Sequence, residues 1–64
     1  PLSERELEVL GLVAEGLSNR EVAERLYLAP TTVRDHVQAL MKKLDARSRT
    51  GAAVAGLRLG LLAV

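Results

Sequence analysis

The sequence predicts an all-α protein, a compact bundle of four helices, on three observations. First, serine is twice followed three residues later by glutamate at the head of an apolar-periodic run, as Ser3 with Glu6 and Ser18 with Glu21. In each pair the hydroxyl can accept a first-turn backbone N–H while the carboxylate reaches back to the serine N–H, a reciprocal device that starts helices. Second, residues 30–44, PTTVRDHVQALMKKL, place Val33, Val37, Leu40, Met41 and Leu44 on one stripe at helical spacing. Third, nearly half of the chain is hydrophobic while Tyr27 is its single aromatic residue. The core is then a mesh of leucine, valine and alanine, which suits packed helices better than strands.

Helix one is expected over about 4–15. Leu2 can pack on Leu7 as a staple across the Ser3 cap, and Leu7, Leu10, Val13, Ala14 and Leu17 form the inward stripe. Gly16 stands where a left-handed residue ends a helix. Helix two, about 19–26, repeats the device with Leu17 stapled to Val22 and buries Val22, Ala23 and Leu26. Two turns are too few for a helix to stand alone, so it must lean on its neighbours.

Tyr27, Leu28 and Ala29 make a tight connection, and Pro30 suits the first turn of helix three, where its missing N–H is not needed. Helix three is expected over 30–44. Its outer face carries Thr31, Arg34, Asp35, Gln38 and Lys42, which between them can donate to and accept from base edges and phosphates. A short helix, a brief turn and a longer helix with a polar face is the outline of a helix-turn-helix, although many small bundles share it. Helix four is expected over 48–60, capped by Ser48. Ala53, Val54, Leu57 and Leu61 would face inward, leaving Ala52, Ala55, Leu59 and Leu62 on a second apolar face. Such a helix needs two things to bury against, so the second face is expected to meet another copy of the chain. Glycines at 51, 56 and 60 argue instead for a frayed tail.

Bulk properties narrow the function. At 64 residues the chain is one domain, 1–64, near the lower limit for folding without staples. No cysteine is present and His36 is the one histidine, which excludes a disulfide framework and a zinc finger; no metal or cofactor is expected. A net charge of +1 does not identify a nucleic-acid partner, but its distribution is uneven. Acidic residues concentrate in the first 24 positions, whereas Arg34, Lys42, Lys43, Arg47, Arg49 and Arg58 face only Asp35 and Asp45 later in the chain. Without an apolar run of the ~20 residues that span a bilayer, and without a signal-peptide pattern, no membrane association and a cytoplasmic location are expected. A start at Pro1 rather than methionine points to a domain excised from a longer chain. Carboxylates near Arg5, Arg20 and Arg25 read as helix-surface charges. No nucleophile stands with a base, so no catalytic residue is expected and an enzyme is excluded.

The segments LSERELEVLGLVAEGLSNREVAERL, TTVRDHVQALMKKL and RSRTGAA together resemble the LuxR-type helix-turn-helix domain, the DNA-binding module at the C-terminus of LuxR, NarL and FixJ-like bacterial regulators. The resemblance covers nearly the whole chain. It implies a transcriptional regulator that binds double-stranded DNA, with helix three in the major groove and helix four able to form a homodimer on two half-sites. It also implies an upstream receiver or ligand-binding domain. Carried over by motif, Asn19, Arg20, Thr32 and Lys43 are implied to contact phosphates, a role to which Thr31 and Lys42 are added. Arg34, Asp35 and Gln38 match the base-reading positions. Ala52, Ala55 and Leu59 are the expected dimer interface. Departures are Ala29 in place of the usual capping serine, Asp45 and Ala46 in place of glycine and a larger apolar residue, and Gly51 in place of an acid or amide. The rival readings are a sigma-factor-like promoter-reading domain and a helical protein-interaction module.

Overall fold

In the computed structural model, which describes residues 1–62, both serine–glutamate pairs close as their spacing requires. The last two residues of the expected 1–64 domain lie outside the described residues. Ser3 Oγ accepts the Glu6 N–H at 3.1 Å while Glu6 Oε1 accepts the Ser3 N–H at 2.9 Å. Ser18 and Glu21 repeat the exchange at 3.1 and 2.8 Å. These caps start α1, Glu4–Ala14, and α2, Asn19–Leu26. Gly16, at φ +93°, turns the chain between them, and the Leu17 N–H reaches back to the Leu12 carbonyl.

α3 spans Pro30–Lys43 and starts without a side-chain cap, because Ala29 has no oxygen to offer. α4 spans Arg49–Arg58, with Ser48 Oγ accepting the Gly51 N–H at 2.9 Å. Its end falls short of the expected residue 60 because Gly60 turns left-handed at φ +74° and the Leu61 N–H closes on the Gly56 carbonyl at 2.8 Å. That glycine terminates the helix rather than fraying it. Among the described residues the architecture is all-helical, in the order α1–α2–α3–α4.

The core is built around α3. Val33 and Leu40 are fully buried and Val37 nearly so, against Val9, Leu10 and Val13 of α1, Val22 and Ala23 of α2, and Ala52 of α4. Met41 and Leu44 lie at the edge of this cluster. α3 packs on both α1 and α2, and α4 packs chiefly on α1.

Two inward faces differ from expectation. In α1 the buried face is Glu6, Val9, Leu10 and Val13, while Leu7 and Leu17 are half-buried and Ala14 is exposed. Leu7, Val9, Leu10, Leu12 and Val13 are apolar over more than half of the helix, so spacing alone does not select the side that turns inward. In α4 the buried residues are Ala52 and Gly56, whereas Val54, Leu57 and Leu61 are exposed. Closeness decides this case. A Cβ added at Gly56 would stand 3.0 Å from Leu10 Cδ2, so α4 turns its smallest residues toward α1 and leaves its bulkier ones outside. Ala52, with no exposed surface, therefore belongs to the core and not to a dimer interface.

One ion pair ties the start of α1 to the end of α3. Lys43 Nζ donates to Glu6 Oε1 at 2.8 Å, joining the first turn of α1 to the last turn of α3. Glu6 is almost completely buried, and the Lys43 ammonium with the Ser3 N–H holds its carboxyl below its ordinary value of 4.5. A lowered carboxyl stabilises the fold at pH values above its unfolded pKa, and that contribution is lost as pH falls through the folded pKa. Glu21 is lowered in the same direction by the Ser18 N–H.

Two measurements check this account. Stability followed by thermal melting should fall as pH drops below about 4.5, the ordinary value for both glutamates. Glu6→Gln should melt below the parent at pH 7 and converge with it near the acid end, and an undiminished gap there would contradict the ion-pair explanation. Asp45 occupies the left-handed region at φ 54°, where a side chain is strained. Asp45→Gly should therefore raise stability by about 0.5–1 kcal/mol in urea titrations.

Candidate nucleic-acid interface

Because Val33, Val37 and Leu40 are drawn into the core, helical periodicity turns the other side of α3 outward. Thr31, Thr32, Arg34, Asp35, Gln38 and Lys42 are all exposed, and Thr31, Arg34, Asp35, Gln38 and Lys42 follow at i, i+3, i+4, i+7 and i+11. This strip holds two hydroxyls, a guanidinium, a carboxylate, a carboxamide and an ammonium. It can therefore donate and accept along its whole length. No other described element covers these side chains. His36 is half-buried at the flank of the strip.

Arg34 and Asp35 are not independent. Arg34 Nη2 lies 3.4 Å from Asp35 Oδ1, and both side chains are largely exposed. A pair so hydrated contributes little to stability. Its effect is on the strip itself, where the carboxylate offsets the charge of the guanidinium and limits where it can point. Lys43 differs from Lys42. Its ammonium spends one of three donors on Glu6, so it is an anchor of the fold that keeps a partly exposed face, whereas Lys42 is exposed and makes no ion pair among the described residues.

At the start of α2, Arg20 is exposed and Asn19 is half-buried. Asn19 is engaged: its Oδ1 accepts from Arg49 Nη1, and Arg49 Nη2 donates to the Leu17 carbonyl at 2.6 Å. Sequence reasoning assigned Arg49 no role. Its position in the first turn of a helix did not mark it, since Arg5 and Arg20 stand at the same place in α1 and α2 without a tertiary partner. From the sequence Glu6 reads as a cap and a helix-surface charge; the structure buries it, and its second bond, to a lysine 37 positions away, leaves no local trace.

At the end of α4, Leu59 is 65% exposed and Ala55, one turn before it, is half-buried; Leu61 is exposed in the same groove as Leu59, and Val54 and Leu57 are exposed on another side of the helix. The apolar surface that remains outward is thus made of the larger residues and not of Ala52. No described helix is long and apolar enough to cross a membrane.

Comparison with known proteins agrees with this geometry. Residues 1–55 match the family described as bacterial regulatory proteins, luxR family. The transcriptional regulatory protein LnrK of Bacillus subtilis (strain 168) is 47% identical over 60 residues, which are 94% of this chain and 27% of LnrK. The DNA-binding transcriptional activator DevR/DosR of Mycobacterium tuberculosis is 45% identical over 53 residues, 83% of this chain and 24% of that protein. The chain thus spans about a quarter of the length of these curated relatives. Among solved structures, the response regulator ChrA of a heme-sensing two-component system superposes with a TM-score of 0.94 at 37% identity, covering 97% of this chain and 31% of ChrA. The transcription factor GerE superposes at 0.89 with 32% identity, covering 97% of this chain and 92% of GerE. With its capped helix pair, its outward α3 strip and this match along most of its length, the chain belongs to the luxR family of bacterial regulatory proteins and has that family's helix-turn-helix fold.

Proposed function

We propose that this domain binds double-stranded DNA sequence-specifically as the reading module of a bacterial transcriptional regulator. The observation that carries the reading is the α3 strip, a row of donors and acceptors on a helix whose opposite side is locked into the core. A helix of this width fits the major groove, where each base pair presents a distinct pattern of donors and acceptors. Arg34 is suited to guanine O6 and N7, and Gln38 to adenine N6 and N7. Asp35 is repelled by phosphates, so on DNA it accepts from a cytosine amino group or stays with Arg34. Arg20, Thr31, Thr32 and Lys42 contact phosphates, as do the free donors of Asn19 and Lys43, and set the register of the helix in the groove.

A second copy of the chain is the proposed occupant of the apolar face of α4. Leu59, 65% exposed, stands one turn beyond the half-buried Ala55 and lines one groove with the exposed Leu61, an outward apolar surface of the kind that pairs two half-site readers. Relatives such as LnrK and ChrA have most of their length beyond the matching segment. An upstream receiver or ligand-binding domain, and action in the cytoplasm, complete the reading. Membership of the luxR family favours this account over a sigma-factor-like domain.

Sites selected from a random duplex pool, then titrated at rising salt, test the proposal. Binding should weaken steeply with salt, as phosphate contacts require. Salt-independent binding, or none, would leave the protein-interaction module as the better reading. Within that assay, Gln38→Ala should lose about 1–3 kcal/mol on selected sites and relax preference at one or two positions. Lys42→Ala should weaken selected and random duplexes alike and lower the salt slope by about 0.9. For the dimer, Leu59→Glu should leave a single half-site bound as before and remove the advantage of two, a loss on the order of 100-fold by effective concentration.

A further inference from the structure

α2 and α4 do not pack on each other, yet one side chain spans them. Arg49, the first residue of α4, reaches the α1–α2 turn and the first residue of α2, donating to the Leu17 carbonyl and to Asn19 Oδ1. A carboxamide has two ends, an acceptor oxygen and a donor NH2, and swaps them by half a rotation about its last bond. A guanidinium has donors only, so wherever it touches a carboxamide the oxygen must face it. The Arg49 contact therefore selects one of the two Asn19 orientations and leaves the NH2 end as the group Asn19 can present to a partner. Among the described residues this NH2 has no hydrogen-bond acceptor.

We infer that Arg49 is a positioning residue for DNA binding, holding the Asn19 carboxamide with its N–H donors presented to a phosphate. The inference rests on the reading of Asn19 as a phosphate contact. Without Arg49 the amide is free to turn, and the orientation that offers oxygen to a phosphate is repulsive. The arrangement also explains why α4 begins with a cation. No acidic residue stands in the first turn of that helix, so the charge is unfavourable to the helix dipole and its compensation lies across the bundle. Two bonds from a planar fork to two acceptors fix the guanidinium itself, which a flexible ammonium cannot reproduce.

A double-mutant cycle on the selected duplex tests this, with the parent, Arg49→Met, Asn19→Ala and the double variant measured across a salt series. Each single change should weaken binding roughly three- to tenfold, the value of one hydrogen bond, and the double variant should bind no worse than Asn19→Ala. The salt slope of Arg49→Met should match that of the parent, since a neutral amide displaces no counterion. Losses that multiply in the double variant would overturn the inference, as would a slope reduced by about 0.9, which would make Arg49 a phosphate contact in its own right. If Asn19→Ala binds like the parent while Lys42→Ala weakens binding, the phosphate role of Asn19 fails and this inference with it, but DNA binding stands. If Arg49→Met does not fold, relaxation of the Asn19 side-chain amide in the parent decides. An order parameter near the backbone value of about 0.85 is expected, and one below about 0.6 would show an amide that nothing holds.

Discussion

The rest of this structure depends on the burial of one narrow stripe, Val33, Val37 and Leu40 of α3. These side chains are the meeting point of α1, α2 and α4, and removing them from water is what gives a chain of 64 residues a core at all. The same burial dictates the outer surface. Once positions 33, 37 and 40 are fixed inward, the helix has no freedom to present anything but Thr31, Arg34, Asp35, Gln38 and Lys42 to the outside. Folding and presentation of the strip are one event, and a slip of α3 by one residue would spoil both.

The polar anchors add what this burial lacks. An apolar core made only of small and branched aliphatic residues is weakly directional, because valine and leucine can repack with little penalty. The bonds from Lys43 to Glu6 and from Arg49 to Asn19 and Leu17 set the relations between elements more narrowly. The first joins the end of α3 to the start of α1, and the second joins the start of α4 to the start of α2. Both tie helix ends, where backbone groups are least constrained by the helix itself. Glu6 serves two neighbours with one oxygen, capping α1 and holding Lys43, so the start of the first helix and the end of the third are set together.

How much could be read beforehand follows from the range of each interaction. The two capping boxes are contacts between residues three apart, so Ser3, Glu6, Ser18 and Glu21 announce the starts of α1 and α2 without tertiary information. The stripe of α3 was equally legible because its polar and apolar faces are cleanly separated. α1 and α4 were not, for a common reason: each is apolar around most of its circumference. In α1 this hid Val9, which is fully buried, behind Leu7, which is not. In α4 bulk was a misleading guide, since the face against α1 is the one with room for the Leu10 side chain, and that favours Ala52 and Gly56. The strip on α3 was recoverable residue by residue, whereas the engagement of Asn19 and Lys43 was not. Their partners lie 30 and 37 positions away, and neither contact leaves a periodic signal.

The ends of α3 explain why the helix must be held from its side. The residue before its first turn, Ala29, provides no cap, and the connections on both flanks pass through non-glycine residues in the left-handed region, Tyr27 at φ 58° and Asp45 at φ 54°. Each such residue is disfavoured by roughly 1 kcal/mol or more, somewhat less for aspartate. Tyr27 recovers nothing by packing, being 95% exposed. A helix with strained flanks and an open start would fray if it depended on its own termini. α3 does not, because its stripe is the core and its last turn is tied to Glu6. Local opening of this helix therefore requires loss of the core as a whole, which ties the order of its outer strip to the global stability of the domain. That coupling is what a reader of base edges needs, since placement of donors to within a fraction of an ångström comes from the rigidity of what lies beneath them.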